Sequence, residues 1–201
     1  MKTKLILLLL FFVFQLTTLT SNGVYVNPTF VQPDTGAVCL SGKPASYYFL
    51  QGFGKGIHNW LVFLPGGGWC ATPGYCIKYA NNTPFGIPVY FGTILNNNKT
   101  TNPDFFDWNK VVITYCDGSS FTGNSHTIYN GTNLYFKGAR IFDVVMQELL
   151  QKGMGMAQNA LLAGSSAGGV AATLHCDRFH NLLPNATRVK CLSDAGYFFP
   201  S

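Results

Sequence analysis

The sequence predicts an α/β fold, a mostly parallel sheet flanked by helices. Three observations carry this. Two short, continuous apolar runs, 60–64 and 110–115, each stop at a glycine-containing turn, as strands buried on both faces do. Residues 137–152 place Ile141, Val144, Val145 and Leu149 at the i, i+3, i+4, i+8 spacing of one helical face. A third apolar run, 159–163, passes through Gly164 into a second helical stretch.

In chain order, residues 46–50 are aromatic and apolar and read as a strand. The strand at 60–64 is stopped by Pro65-Gly66-Gly67-Gly68. Residues 72–107 are rich in Asn, Pro and Gly and read as a long surface excursion. The strand at 110–115 ends at Cys116-Asp117-Gly118, and 117–133 reads as another polar loop. The helix at 137–152 is closed by Gly153, a C-cap residue type. A strand at 159–163, a helix at 167–177 and a strand at 188–192 complete the alternation.

A chain of 201 residues holds one large domain or two small ones and has enough length for a real core. Charged residues are only 10%, against roughly 25% in ordinary soluble domains. With 47% hydrophobic residues, this excludes a disordered chain and a coiled coil. Lysines and arginines are scattered singly rather than clustered with aromatics, so nucleic acid is not an expected partner. The balance of +5 falls to +3 without Lys2 and Lys4, a mild positive charge suited to an acidic polymer.

Those two lysines open a signal peptide expected at 1–23. A short positive start precedes an apolar stretch, 5–16, too short for the roughly 20 residues of a membrane span. Small polar residues follow, with cleavage near Thr20 or Gly23. The mature chain is therefore expected to be secreted, with no membrane span. Six cysteines in an oxidising compartment imply three bridges among fifteen possible pairings. Short-range geometry favours Cys70–Cys76 and Cys176–Cys191, leaving Cys39–Cys116 by elimination, though spacing alone does not fix connectivity. Sequons at Asn81, Asn98, Asn130 and Asn185 suit a glycosylated protein. Neither CxxC nor HExxH occurs, and neither a metal site nor a cofactor is expected.

The chemistry sits on two glycine-rich turns. Gly164-Ser165-Ser166-Ala167-Gly168 satisfies G-x-S-x-G with Ser166 at its centre, between a strand and a helix. A nucleophile elbow needs small neighbours because the turn is tight, and the helix N-terminus behind it favours developing negative charge. Gly66-Gly67-Gly68-Trp69 follows an earlier core strand, where an α/β-hydrolase places its second oxyanion donor. After Ser166 the chain offers His175, His180, Asp177 and Asp194. Both histidines lie on or just after the helix behind the nucleophile, and a base should come from a loop above the sheet. They are read as packing or surface residues, which leaves a nucleophile and oxyanion donors without a base.

Four segments together resemble the pectin acetylesterases and their relatives, the Notum carboxylesterases. They are Leu64-Pro65-Gly66-Gly67-Gly68-Trp69-Cys70, Tyr115-Cys116-Asp117-Gly118-Ser119-Ser120-Phe121, the turn from Gly164 to Gly169, and Cys191-Leu192-Ser193-Asp194-Ala195-Gly196-Tyr197-Phe198-Phe199. The resemblance runs from about Ala37 to Phe199, with Pro65 standing where the family usually has Glu. It implies an α/β-hydrolase-like fold and a secreted serine carboxylesterase without cofactor. Ser166 would be the nucleophile, and the backbone N–H groups of Gly67, Gly68 and Ala167 the oxyanion hole. The implied substrate is acetylated pectin or a similar cell-wall polysaccharide. The alternatives are a Notum-like deacylase of a longer acyl ester and an inactive glycan- or partner-binding fragment. Residues 24–201 are expected to be the N-terminal portion of a single esterase domain missing its C-terminal part. The family's catalytic Asp and His would lie beyond Ser201, so the chain alone is expected to be inactive.

Overall fold

The structure is a computed structural model that describes residues 23–199. The signal peptide expected at 1–23 thus falls, Gly23 apart, outside the described residues. Among the described residues ten strands and four α-helices follow in this order: β1 Val24–Val26, β2 Pro28–Phe30, β3 Ser46–Leu50, β4 Asn59–Leu64, α1 Pro73–Asn82, β5 Val89–Phe91, β6 Asn109–Ile113, β7 Ser125–Tyr129, β8 Thr132–Phe136, α2 Gly138–Gln151, β9 Asn159–Ser165, α3 Ala167–Leu174, α4 Cys176–Asn181 and β10 Arg188–Asp194.

The central sheet has six strands in the order β10-β9-β4-β6-β3-β2. Its half around β4 is parallel: β10 with β9, β9 with β4, and β4 with β6. The strands β3 and β2 continue it antiparallel, so the sheet is mixed. The apolar runs explain the centre. β6 is buried at every position, and Leu61, Val62 and Leu64 of β4 are inaccessible. Parallel strands covered on both faces need such continuous runs. α2 packs Ile141, Phe142, Val145 and Leu149 into the main core, and Gly153 follows its end at φ 110°.

Three readings change. The excursion at 72–107 contains α1 and β5, and the loop at 117–133 contains β7. α1 is poorly visible in sequence because it buries Cys76 alone; Thr72 caps it, accepting from the Tyr75 N–H at 3.4 Å. β7 is exposed along its whole length, so no apolar alternation marks it. The helix expected at 167–177 breaks at His175 into α3 and α4.

The three disulfides join Cys39 to Cys116, Cys70 to Cys76 and Cys176 to Cys191, with Cα separations of 5.0, 4.8 and 5.9 Å. Among the described residues no helix is long and apolar enough to cross a membrane.

Candidate active site

β9 and α3 meet at Ser166, whose backbone takes φ 56° and ψ −123°. A non-glycine residue held there is strained and persists only where its surroundings fix it. The fixing contacts are visible. The Ser166 N–H donates to the Asp194 carbonyl at 2.9 Å. The Ser166 carbonyl accepts from Gly169 and Val170 N–H at 2.9 and 3.1 Å, which starts the helix. A Cβ on Gly164 would collide with the Gly168 carbonyl, and one on Gly168 with the Leu64 carbonyl. The motif glycines are therefore set by the close approach of the elbow to the end of β4.

That approach brings the two turns together. A Cβ on Gly66 would stand 2.8 Å from the Ser166 Cβ and 3.4 Å from the Ala167 nitrogen. The glycine turn thus packs on the serine at Gly66. Gly68 turns the chain at φ 74°. Among the described residues, the N–H groups of Gly67, Gly68 and Ala167 donate to no protein acceptor, and Ser166 itself is half-buried. Unpaired donors beside a strained serine at a helix N-terminus suit an anionic oxygen.

Sequence reasoning missed the support behind this turn. The Tyr115 hydroxyl donates to the Gly68 carbonyl at 2.6 Å and accepts from the Ser120 N–H at 3.1 Å. Trp69 Nε1 donates to Ser120 Oγ at 2.6 Å, and the Cys70 N–H to the Gly118 carbonyl at 3.1 Å. Ser120 and Phe121 both have positive φ, 53° and 57°. Asp117 holds them: its Oδ2 accepts from Ser119 N, Ser119 Oγ and Phe121 N at 3.1, 2.6 and 3.0 Å. Asp117 is fully buried, and burial pushes its carboxyl pKa up against the downward pull of those donors. Burial likewise pushes the Tyr115 phenol up to about 12. The only sequence signal for this brace is the Asp-Gly-Ser-Ser turn itself.

The histidines are elsewhere. His175 is buried, stacked on Phe142 with ring centroids 4.1 Å apart, and its Nε2 donates to the Phe121 carbonyl at 2.8 Å. His180 is exposed on α4, His126 bonds Asn133 in the β7–β8 hairpin, and His58 precedes β4 at the end away from the glycine turn. None bonds Ser166 among the described residues. Asp194 braces the elbow, its Oδ2 accepting from Ser165 Oγ at 3.2 Å. Among the described residues no group of three potential ligands forms a metal site. Of the sequons, Asn81, Asn130 and Asn185 are exposed and Asn98 half-buried.

A sequence profile of the pectinacetylesterase family matches residues 19–201. The chain belongs to this family. Pectin acetylesterase 7 of Arabidopsis thaliana is 47% identical over 172 residues, covering 81% of this chain and 43% of that protein. The human palmitoleoyl-protein carboxylesterase NOTUM is 34% identical over 177 residues, covering 82% of this chain and 35% of that protein. Among solved structures, the Wnt deacylase Notum from Drosophila superposes with a TM-score of 0.79 at 26% identity, over 89% of this chain and 55% of that one. This pectinacetylesterase-family chain thus has an α/β-hydrolase-like fold and spans less than half the length of the curated relatives it matches.

Proposed function

We propose that the chain carries the nucleophile and oxyanion donors of a secreted serine carboxylesterase that removes acetyl groups from pectin or a similar polysaccharide. The observation that carries this is the strained Ser166 elbow seated against the glycine turn. In the reaction, Ser166 Oγ attacks the ester carbonyl carbon as its proton passes to a base. The tetrahedral oxyanion accepts hydrogen bonds from the N–H groups of Ala167, Gly67 and Gly68. Collapse breaks the bond to the sugar oxygen, which takes up the proton from the base and leaves as the hydroxyl, while acetyl stays on Ser166. Water then releases acetate by the same sequence in reverse. The identity to pectin acetylesterase 7 supports the acetyl substrate, and three disulfides fit an oxidising, extracellular setting.

The base is the discriminating part. His175 is spent on Phe121 and Phe142, so the 201 residues alone should release acetate from acetylated pectin, or turn over a small aryl acetate, only at background rate. A longer protein supplying an Asp and a His after Ser201 should be active, and Ser166→Ala in it should lower the rate by several orders of magnitude, because nucleophile and base act as a unit. Ser166-dependent turnover by the short chain would instead assign the base to His175 or His180. Binding of glycan with no turnover in the longer protein would favour the second reading, a non-catalytic glycan-binding protein.

A further inference from the structure

The glycine turn forms one wall of a cleft of about 340 Å³ that runs away from Ser166 along α1. Tyr79 and Tyr115 line it beside Gly66 and Gly67, and Tyr75 and Lys78 of α1 line it further out. Thr83 and Pro84 line it as well and also line a small adjoining hollow that holds Lys43 and Phe85. Two lysine–aromatic units thus line these two neighbouring hollows. Each pairs an exposed aromatic ring with an exposed lysine: Tyr75, 52% exposed, with Lys78, and Phe85, 42% exposed, with Lys43, whose Nζ stands 5.0 Å above that ring. Neither lysine has an ion-pair partner among the described residues, and no residue lining either cavity is acidic.

We infer that this path is a specificity track for an anionic polysaccharide, in which Lys78 and Lys43 hold carboxylates on successive parts of the chain while Tyr75 lies against a sugar ring. The inference rests on the esterase reading for its direction, since the track leads to Ser166. An ammonium with no acidic partner near an exposed aromatic ring matches a uronic-acid ring, which offers a carboxylate at one edge and an apolar C–H face. A neutral polysaccharide would engage Tyr75 and leave both cations idle. The two lysines thus select which acetylated polymer is presented to Ser166 without taking part in the chemistry.

Binding of a de-esterified oligogalacturonide tests the track without any hydrolysis, with a neutral xylo-oligosaccharide of equal length as comparison, both titrated calorimetrically into the chain. The expected result is salt-sensitive binding of the galacturonide that exceeds the xylo-oligosaccharide. Lys78→Gln and Lys43→Gln should each weaken it roughly fivefold, their combination more, and Lys78→Arg should retain it. Both lysines are exposed, so these variants keep the fold, which circular dichroism checks. Equal affinity for the neutral oligosaccharide, absence of galacturonide binding, or an unchanged dissociation constant in Lys78→Gln overturns the inference. Acetate release from a small aryl acetate by the longer, unsubstituted protein tests the esterase reading separately, so the two failures are told apart.

Discussion

Gly168 and Gly74 are chemically identical and structurally opposite. A side chain on Gly168 would meet the Leu64 backbone carbonyl, which cannot swing away because β4 is locked between β9 and β6. Gly168→Ala should therefore cost about 2–3 kcal/mol or more, as overpacking against a fixed backbone does. Gly74 lies in α1 with nothing within 4 Å of a built Cβ, so Gly74→Ala should raise stability by about 0.5–1 kcal/mol through lower chain entropy and better helix propensity. Denaturant unfolding of both variants beside the parent measures the pair. A near-neutral Gly168→Ala would mean that the elbow and β4 are not packed as described. Ser166 and its glycines were legible because the constraint is local: a tight turn must show small residues at fixed offsets. Asp117, Tyr115 and Ser120 were not, because what they do depends on a loop meeting Trp69 and Gly68 from elsewhere in the chain.

The break between α3 and α4 shows an element whose reason lies in another element. The sequence at 167–177 reads as one helix, yet the chain turns at His175 so that its ring can stack on Phe142 of α2 and reach the Phe121 carbonyl. The groups facing the ring are that carbonyl, Phe142, and Arg178 with its ion-pair partner Asp143. Burial, the largest influence, pushes the imidazole pKa below its ordinary 6.5. The folded state therefore binds fewer protons than the unfolded chain once the pH drops under that value. The stability linked to neutral His175 is fully present above about pH 6.5 and is lost as pH falls through the lowered folded value. His175→Gln, which keeps a side-chain donor, should show a flatter stability profile between about pH 5 and 7 in thermal melts. An unchanged slope would place the titrating group elsewhere. The same reasoning explains which elements were readable. β4, β6 and β9 are buried enough to impose continuous apolar runs and α2 enough to impose a helical period, whereas α1 fully buries Cys76 alone and β7 is exposed throughout.

Across the whole molecule, the disulfides stitch the sheet to its surroundings at three ranges: separations of 77 residues for Cys39–Cys116, 15 for Cys176–Cys191 and 6 for Cys70–Cys76. If a bridge acts mainly by restricting the unfolded chain, its contribution rises with the logarithm of the loop it closes, giving about 4.5, 3 and 2 kcal/mol in that order. Replacing each pair with alanines should thus lower unfolding free energy most for Cys39–Cys116 and least for Cys70–Cys76. The site should respond in a different order. Cys70 follows Trp69 directly, its N–H is tied to Gly118, and its bridge anchors α1, the helix that bears Tyr75 and Lys78. Loss of the shortest bridge should therefore weaken oligogalacturonide binding at the smallest cost in stability, whereas loss of the longest should cost the most stability and affect binding only as the folded fraction falls. Paired denaturation and titration of the three double variants tests this separation. If the Cys70–Cys76 variant binds like the parent, the orientation of α1 is set by its packing on β8 rather than by the bridge, through the Leu40, Cys76 and Leu134 cluster.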